Sequence, residues 1–281
     1  MHARTSGIAQ TYLAMANSFY VTLPSDGSMD VFQENTVTNY RTKLAQPVEL
    51  SGEWEVGLVE IQYPHSWLNV REGENTLVYY MVDEKDEGSG REYEIVKISA
   101  GHYKDVLHLL KSLNEAASIR YPSLFKQHDM FAYDSITKRV TMVLPPMAQN
   151  STTMKTYLTG PLAEKLGWGV KGAIYGSWVQ APRPADPNLG FHSLYVYGDV
   201  VQHRPVGGQK VPLLRIVKIE GQDGDIVDHP ILTPHYIPLA RKRFETIEID
   251  IRNDLGEPVP FVQGRVIVTL HFRQRRSSYF S

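Results

Sequence analysis

Several short stretches of the chain bring together residue types that could do chemistry. In "GWGVKG", Gly167, Gly169 and Gly172 have the GxGxxG spacing of a dinucleotide cradle. Such a cradle must follow a strand and open a helix. Here the string follows a helical segment and precedes "AIYGSWVQAPRP", which cannot form a long helix, so it reads as a turn. "GQDGDIVDH" gathers Asp223, Asp225, Asp228 and His229, all able to ligate a metal. The stretch lacks the sixth-position Gly and closing Glu of an EF-hand, and it reads as a solvated loop between strands. Glu248 and Asp250 alternate along one predicted strand. They could work as acid and base across a groove, but such alternation is also the ordinary wet face of a sheet.

Near the end of the chain, "RQRR" places Arg273, Arg275 and Arg276 together. A basic tail of this kind can touch a phosphate or an acidic partner, or simply keep the end soluble. "YPHSW", with Tyr63, Pro64 and Trp67, offers either an aromatic platform for a ligand or a buried corner at a strand exit. "NST" at Asn150–Thr152 matches a glycosylation sequon, which has meaning only in a secreted protein. There is no GxSxG elbow and no HExxH pair. The chain has no cysteine, which excludes disulfides, thiolate metal sites and cysteine nucleophiles. The motifs thus point to no catalytic residue, cofactor or metal. An architectural or binding protein is expected rather than an enzyme.

Composition agrees with that expectation. The formal net charge of -2 supplies no global field for nucleic acid or an anionic membrane. No apolar stretch approaches the roughly 18–20 residues of a membrane span. "MHARTSGIAQTYLAMANSF" lacks the apolar run of a secretory signal, which predicts synthesis and folding in the cytosol. Tyrosine, proline and glycine number 16, 17 and 21, a mix suited to a β-rich protein with many turns.

The elements follow from periodicity. Residues 1–17 have no clear period and read as an arm. "SFYVTLP", "NYRTKLAQPVEL" (broken by Pro47), "EWEVGLVEIQYP" and "TLVYYMV" read as strands. In the third of these, Trp54, Val56, Leu58 and Glu60 fall on one face, and Val59 and Ile61 on the other. "TLVYYMV" and "REYEIVKI" make a hairpin across "DEKDEGSG", and "MFAYDSITKRVTMVL" makes a second one. "KDVLHLLKSLNEAAS" has helical spacing at Val106, Leu110, Leu113 and Ala117. "TGPLAEKLG" is a short helix, with Pro161 in its first turn and Gly167 at its stop. "APRPADPNLG" is the strongest linker. Strands resume with "FHSLYVYGDVV" and "VPLLRIVKIEG", and the chain closes on "ETIEIDI" and "RVIVTLHF", read as a long hairpin. Its inward rows are Ile247, Ile249, Ile251 and Val266, Val268, Leu270, Phe272.

Strands open and close the chain while helices cluster in the middle, whereas a parallel βαβ fold would alternate them throughout, so an antiparallel sandwich is the better reading. The expectation is an all-β protein: a single jelly-roll β-sandwich over 18–281, interrupted by a helix-containing α+β insertion at about 91–190.

The blocks "EWEVGLVEIQYPHSW", "GHYKDVLHLLKSLN", "FAYDSITKRVTMVL", "LAEKLGW" and "FETIEIDIRNDLGEPVPFVQGRVIVTLHFR" carry a resemblance. In their order and spacing, the chain after residue 17 resembles the minor capsid, or penton, proteins of Polinton/Maverick elements and adintoviruses. The resemblance implies a single jelly roll forming a homopentamer at the vertex of an icosahedral double-stranded DNA virus capsid. Its partners would be four further copies, a double-jelly-roll major capsid protein, and a host receptor or fibre. It implies no cofactor, no specific nucleic-acid site and no membrane span. The protein would be made in the host cytoplasm and assembled into virions in the nucleus. The loop residues Asn253, Asp254, Leu255, Glu257 and Pro258 are expected at a subunit contact, and Arg273, Arg275 and Arg276 against a partner.

Two other classes compete. A receptor- or carbohydrate-binding jelly roll predicts a groove lined by aromatics such as Tyr195, Tyr197 or Trp178. A glycan-cleaving enzyme predicts two carboxylates facing each other at roughly 5–10 Å.

Overall fold

The computed structural model describes residues 17–83, 93–120, 122–143, 152–169, 173–175, 178–189 and 191–275. The expected arm up to residue 16, the sequon at Asn150, Gly172 and Arg276 lie outside the described residues. The chain opens with β1 (Ser18–Pro24), β2 (Asn39–Glu49) and β3 (Trp54–Pro64). A middle segment follows, with β4 (Thr76–Asp83), β5 (Tyr93–Lys97), α1 (Val106–Arg120), α2 (Pro122–Phe125), β6 (Phe131–Asp134), β7 (Arg139–Val143), β8 (Thr152–Leu158), α3 (Gly160–Lys165), β9 (Ala173–Tyr175) and β10 (Trp178–Gln180). Strands then continue through β11 (Ser193–Gly198), β12 (Arg204–Val206), β13 (Gln209–Val211), β14 (Leu213–Lys218), β15 (Ile226–Pro230), β16 (Ile237–Pro238), β17 (Arg243–Arg252) and β18 (Ile267–Gln274).

The chain divides into two compact units, Met1–Ser66 with His192–Ser281, and Trp67–Phe191. The first unit holds two antiparallel sheets, ordered β1-β18-β3-β15 and β14-β11-β17-β2. Counting only these eight strands along the chain, the orders are first, eighth, third, sixth and fifth, fourth, seventh, second. That winding is the jelly roll.

Alternation builds its core. Ile247, Ile249 and Ile251 of β17 and Val268, Leu270 and Phe272 of β18 are fully buried, as is Val266. The outward residues between them, Glu248, Asp250, Thr269 and His271, are polar.

Four expectations need correction or a finer statement. The closing strands are not a hairpin: β17 pairs with β2 and β11, and β18 with β1 and β3. A hairpin and a crossing between sheets produce the same alternating pattern, so periodicity could not separate them.

The faces of β3 change partway along. Thr269 of β18 opposes Glu60, while Leu270 opposes Leu58, leaving Val59 as the extra residue of a bulge. The bulge switches parity, so Ile61 and Tyr63 join Val56 and Leu58 inside, and Glu60 lies on the other face.

Pro47 does not end β2, which runs on to Glu49. The pairing with β17 is interrupted between Phe244 and Thr246, and β2 is an edge strand, where proline is tolerated.

The insertion boundary near residue 91 falls outside the described residues; the second compact unit starts earlier, at Trp67. The reason is pairing: β4 bonds to β5 and β8, not to the sandwich.

The second unit contains the sheets β5-β4-β8-β9 and β10-β7-β6. Both expected hairpins, β4–β5 and β6–β7, are present. Asp105 starts α1, its Oδ1 accepting the His108 N–H at 2.8 Å. Leu109, Leu110, Leu113 and Ala117 of that helix join Leu77, Phe131, Met142 and Leu162 in one core. Among the described residues, no helix is long and apolar enough to cross a membrane.

Candidate interaction surfaces

The stretches that could have carried chemistry resolve into structure. Gly167 has φ +92° just past α3, and a Cβ there would meet the Arg183 carbonyl oxygen at 2.2 Å. The glycine therefore serves a helix stop and a close backbone approach, not a phosphate cradle. In "GQDGDIVDH", Asp225 Oδ2 accepts the Gln222 N–H at 2.7 Å and so closes the turn before β15. His229 Nδ1 lies 3.4 Å from Glu220 Oε2.

Glu248 and Asp250 sit side by side on β17, each held by an arginine: Glu248 by Arg41 Nε at 3.1 Å, Asp250 by Arg252 Nε at 2.7 Å. With Tyr197, Asp199 and Pro212 they line a shallow cavity of about 490 Å³ on the outer face of the sheet. Carboxylates spaced two apart on one strand do not face each other across a substrate, so the paired acid–base arrangement is not formed by these two.

"YPHSW" is a corner. Tyr63 is fully buried, and its hydroxyl accepts the Glu220 N–H at 2.9 Å. Trp67 is buried edge-on against Phe191, their rings 5.1 Å apart. Of the other aromatics, Tyr195 and Tyr197 are half-buried on β11, whereas Trp178 is exposed in the second unit.

The loop after β17 is tied down by its own first residues. Asn253 is buried, and its Oδ1 accepts the Leu255 and Glu257 N–H groups at 2.9 Å each. Asp254 Oδ2 accepts from His192 N and Ser193 N at 2.8 and 3.0 Å. This holds Leu255, 71% exposed, at the tip, with Glu257 and Pro258 also presented to solvent. The five loop residues thus divide into two that build the loop and three that it displays.

Of the three basic residues near the end of the chain, Arg273 and Arg275 lie among the described residues. Arg273 lies within β18, its guanidinium carbon 3.4 Å from the Tyr236 ring centre and its Nε 2.7 Å from Glu55 Oε1. His271 stacks on the exposed Tyr20, and the Tyr236 hydroxyl lies 2.7 Å from His271 Nδ1. Burial, then Arg273, keeps the His271 imidazole below its ordinary range and hence neutral. Arg275 is exposed, with its backbone N–H on the Glu53 carbonyl.

Two charge groups escaped the sequence reading. Glu60 of β3 and Asp228 of β15 share the outer face, because Glu60 opposes Pro230 and Gln62 opposes Asp228, making them diagonal neighbours. Burial first, and Asp228 next, raise the Glu60 carboxyl. Elsewhere, Arg204 Nη2 donates to the Leu214 carbonyl and Arg215 Nη1 to the Thr233 carbonyl, each at 3.4 Å. No periodic signal marks either group: one depends on a bulge, and the other joins β12, β14 and the segment after β15.

No protein-family model and no curated protein matches the chain. Among solved structures, the fold is similar to the crystal structure of the selenomethionine-labelled mavirus penton protein, with a TM-score of 0.50 and 8% sequence identity. The match covers 92% of this chain and 100% of that one. At that identity the likeness is one of fold: this chain is a jelly-roll protein with the architecture of a viral penton protein.

Proposed function

We propose that this chain is a capsid vertex protein of penton type, acting as a homopentamer that contacts a double-jelly-roll major capsid protein. The observation that carries the reading is the jelly-roll strand order combined with a fold match spanning the whole of a penton protein. The resemblance of the sequence blocks from Glu53 to Arg273 to Polinton/Maverick and adintovirus penton proteins supports a source of that kind. It works by burying surface between copies at the vertex of an icosahedral double-stranded DNA virion, on the order of 1,000 Å² or more per contact. The displayed loop residues Leu255, Glu257 and Pro258, with Arg275, are contact candidates. Native mass measurement tests it: a species five times the 31.9 kDa chain mass is expected. Co-assembly with a major capsid protein is the next arm.

A second reading has its own observation. The cavity at Tyr197, Glu248, Asp250 and Arg252 offers an aromatic face beside hydrogen-bonding groups, as a glycan-binding receptor module would. A glycan array with the wild type and Tyr197→Ala tests it: specific signal lost in the variant is the expected result.

A further inference from the structure

Among its described residues, the first compact unit carries two groups of like charge without an ion-paired counter-charge. The guanidinium groups of Arg204 and Arg215 hydrogen-bond backbone carbonyls, of Leu214 and Thr233 respectively. Leu214 precedes Arg215, and Thr233 lies two residues before His235, so these bonds draw three basic side chains together. Arg204 Nε is buried and meets no acceptor. Among the described residues, no carboxylate forms an ion pair with Arg204, Arg215 or His235. Burial and the nearby arginines hold His235 below its ordinary basicity. The mirror case is Glu60 with Asp228: two carboxylates adjacent on one sheet face, with no cation paired to either among the described residues.

Each group also has an exposed apolar neighbour. Ile226, 73% exposed, stands two residues before Asp228 on the same row of β15. Leu232, 93% exposed, directly precedes Thr233. Charge and apolar surface together are the makings of a contact: the apolar part supplies burial, and the charges fix register and reject like-with-like pairing.

We propose that the two groups meet between copies of this chain, the Glu60–Asp228 face of one subunit docking on the Arg204–Arg215–His235 cluster of the next. The proposal rests on the self-association reading and names its surfaces. Made head-to-tail, such a contact closes into a ring when the repeated rotation closes. Pairing would remove the repulsion inside both groups at once. A two-fold contact that set either patch against itself would oppose like charges, whereas one that set each patch against the other's would not, so native mass separates a dimer from a ring.

The test is charge reversal read by native mass and light scattering. Asp228 is exposed, and reversing its charge relieves Glu60 rather than stranding it, so Asp228→Arg is the first variant; Arg215→Glu is the second, and a cooperative melting transition no lower than that of the wild type qualifies each. Each variant alone should raise the concentration for half-association by about tenfold or more, corresponding to at least 1.4 kcal/mol. The double variant Asp228→Arg/Arg215→Glu, which restores opposite charge at every contact, should recover most of the loss. Raising salt from 0.05 to about 0.5 M should weaken wild-type association. If the wild type associates and the single variants associate equally well, the contact lies elsewhere, and this inference fails while the self-association reading stands. A wild type that stays monomeric at all concentrations and salts overturns both.

Discussion

Phe244 and Phe272 stack with ring centres 5.7 Å apart and planes 25° apart, although they belong to strands of opposite sheets. Phe272 also lies flat against Phe19 of its own sheet, at 4.8 Å. The three rings tie the two sheets at the core. Phe272→Ala should therefore destabilise the protein by about 3–5 kcal/mol, and Phe272→Leu by clearly less. Chemical denaturation followed by fluorescence checks this. Equal, small losses for both variants would mean the rings do not bridge the sheets.

Tyr40 makes a second link. It is fully buried in β2, and its hydroxyl donates to the Leu23 carbonyl of β1 at 3.1 Å. Burial raises this phenol far above its ordinary range. A folded value above the unfolded one means the stabilisation is present below pH ~10 and is lost as pH rises beyond it. In an ultraviolet titration, this tyrosine should ionise only when the fold opens. Tyr40→Phe should remove that alkaline step and cost about 1–2 kcal/mol at neutral pH.

The second unit holds a buried cation. Lys165 is 5% exposed, and its Nζ lies 3.3 Å from Glu74 Oε2. Burial lowers the Lys165 ammonium, and Glu74 opposes that. Glu74→Gln leaves the charge stranded and should cost about 1–3 kcal/mol, while Lys165→Met should be within about 1 kcal/mol of neutral. Because a depressed folded value gives stability that is lost as pH falls through it, the Glu74→Gln loss should shrink as pH rises toward ~10. Melting temperatures of the three proteins between pH 7 and 10 decide it.

Glu60 and Asp228 supply an acid-side counterpart. The Glu60 carboxyl is raised, by burial first and Asp228 second. Such a group favours the folded state at low pH, and the benefit is lost as pH rises through the raised value. Asp228→Asn should raise the melting temperature of the monomer at pH 7, with the gain fading below pH ~4. A gain that persists unchanged at pH 3 would show that charge is not its cause.

Much of this protein is written in local pattern. The alternation in "ETIEIDI" and "RVIVTLHF" selected the buried rows of β17 and β18 correctly, because a strand has only two faces and one must be apolar. Helical spacing found α1, and turn residues found the hairpins β4–β5 and β6–β7, since both signals act within a few residues. What the pattern could not carry was partnership. The sheet to which β18 belongs depends on β1 and β3, more than 200 residues away in the chain. The outward placement of Glu60 depends on one extra residue, Val59, set against β18. The meeting of Arg204 and Arg215 with the segment at Thr233 depends on how the edge of one sheet lies beside the end of another. Side-chain period is a property of each strand, whereas register, bulges and charge clusters are properties of pairs of strands, and only the folded chain decides them.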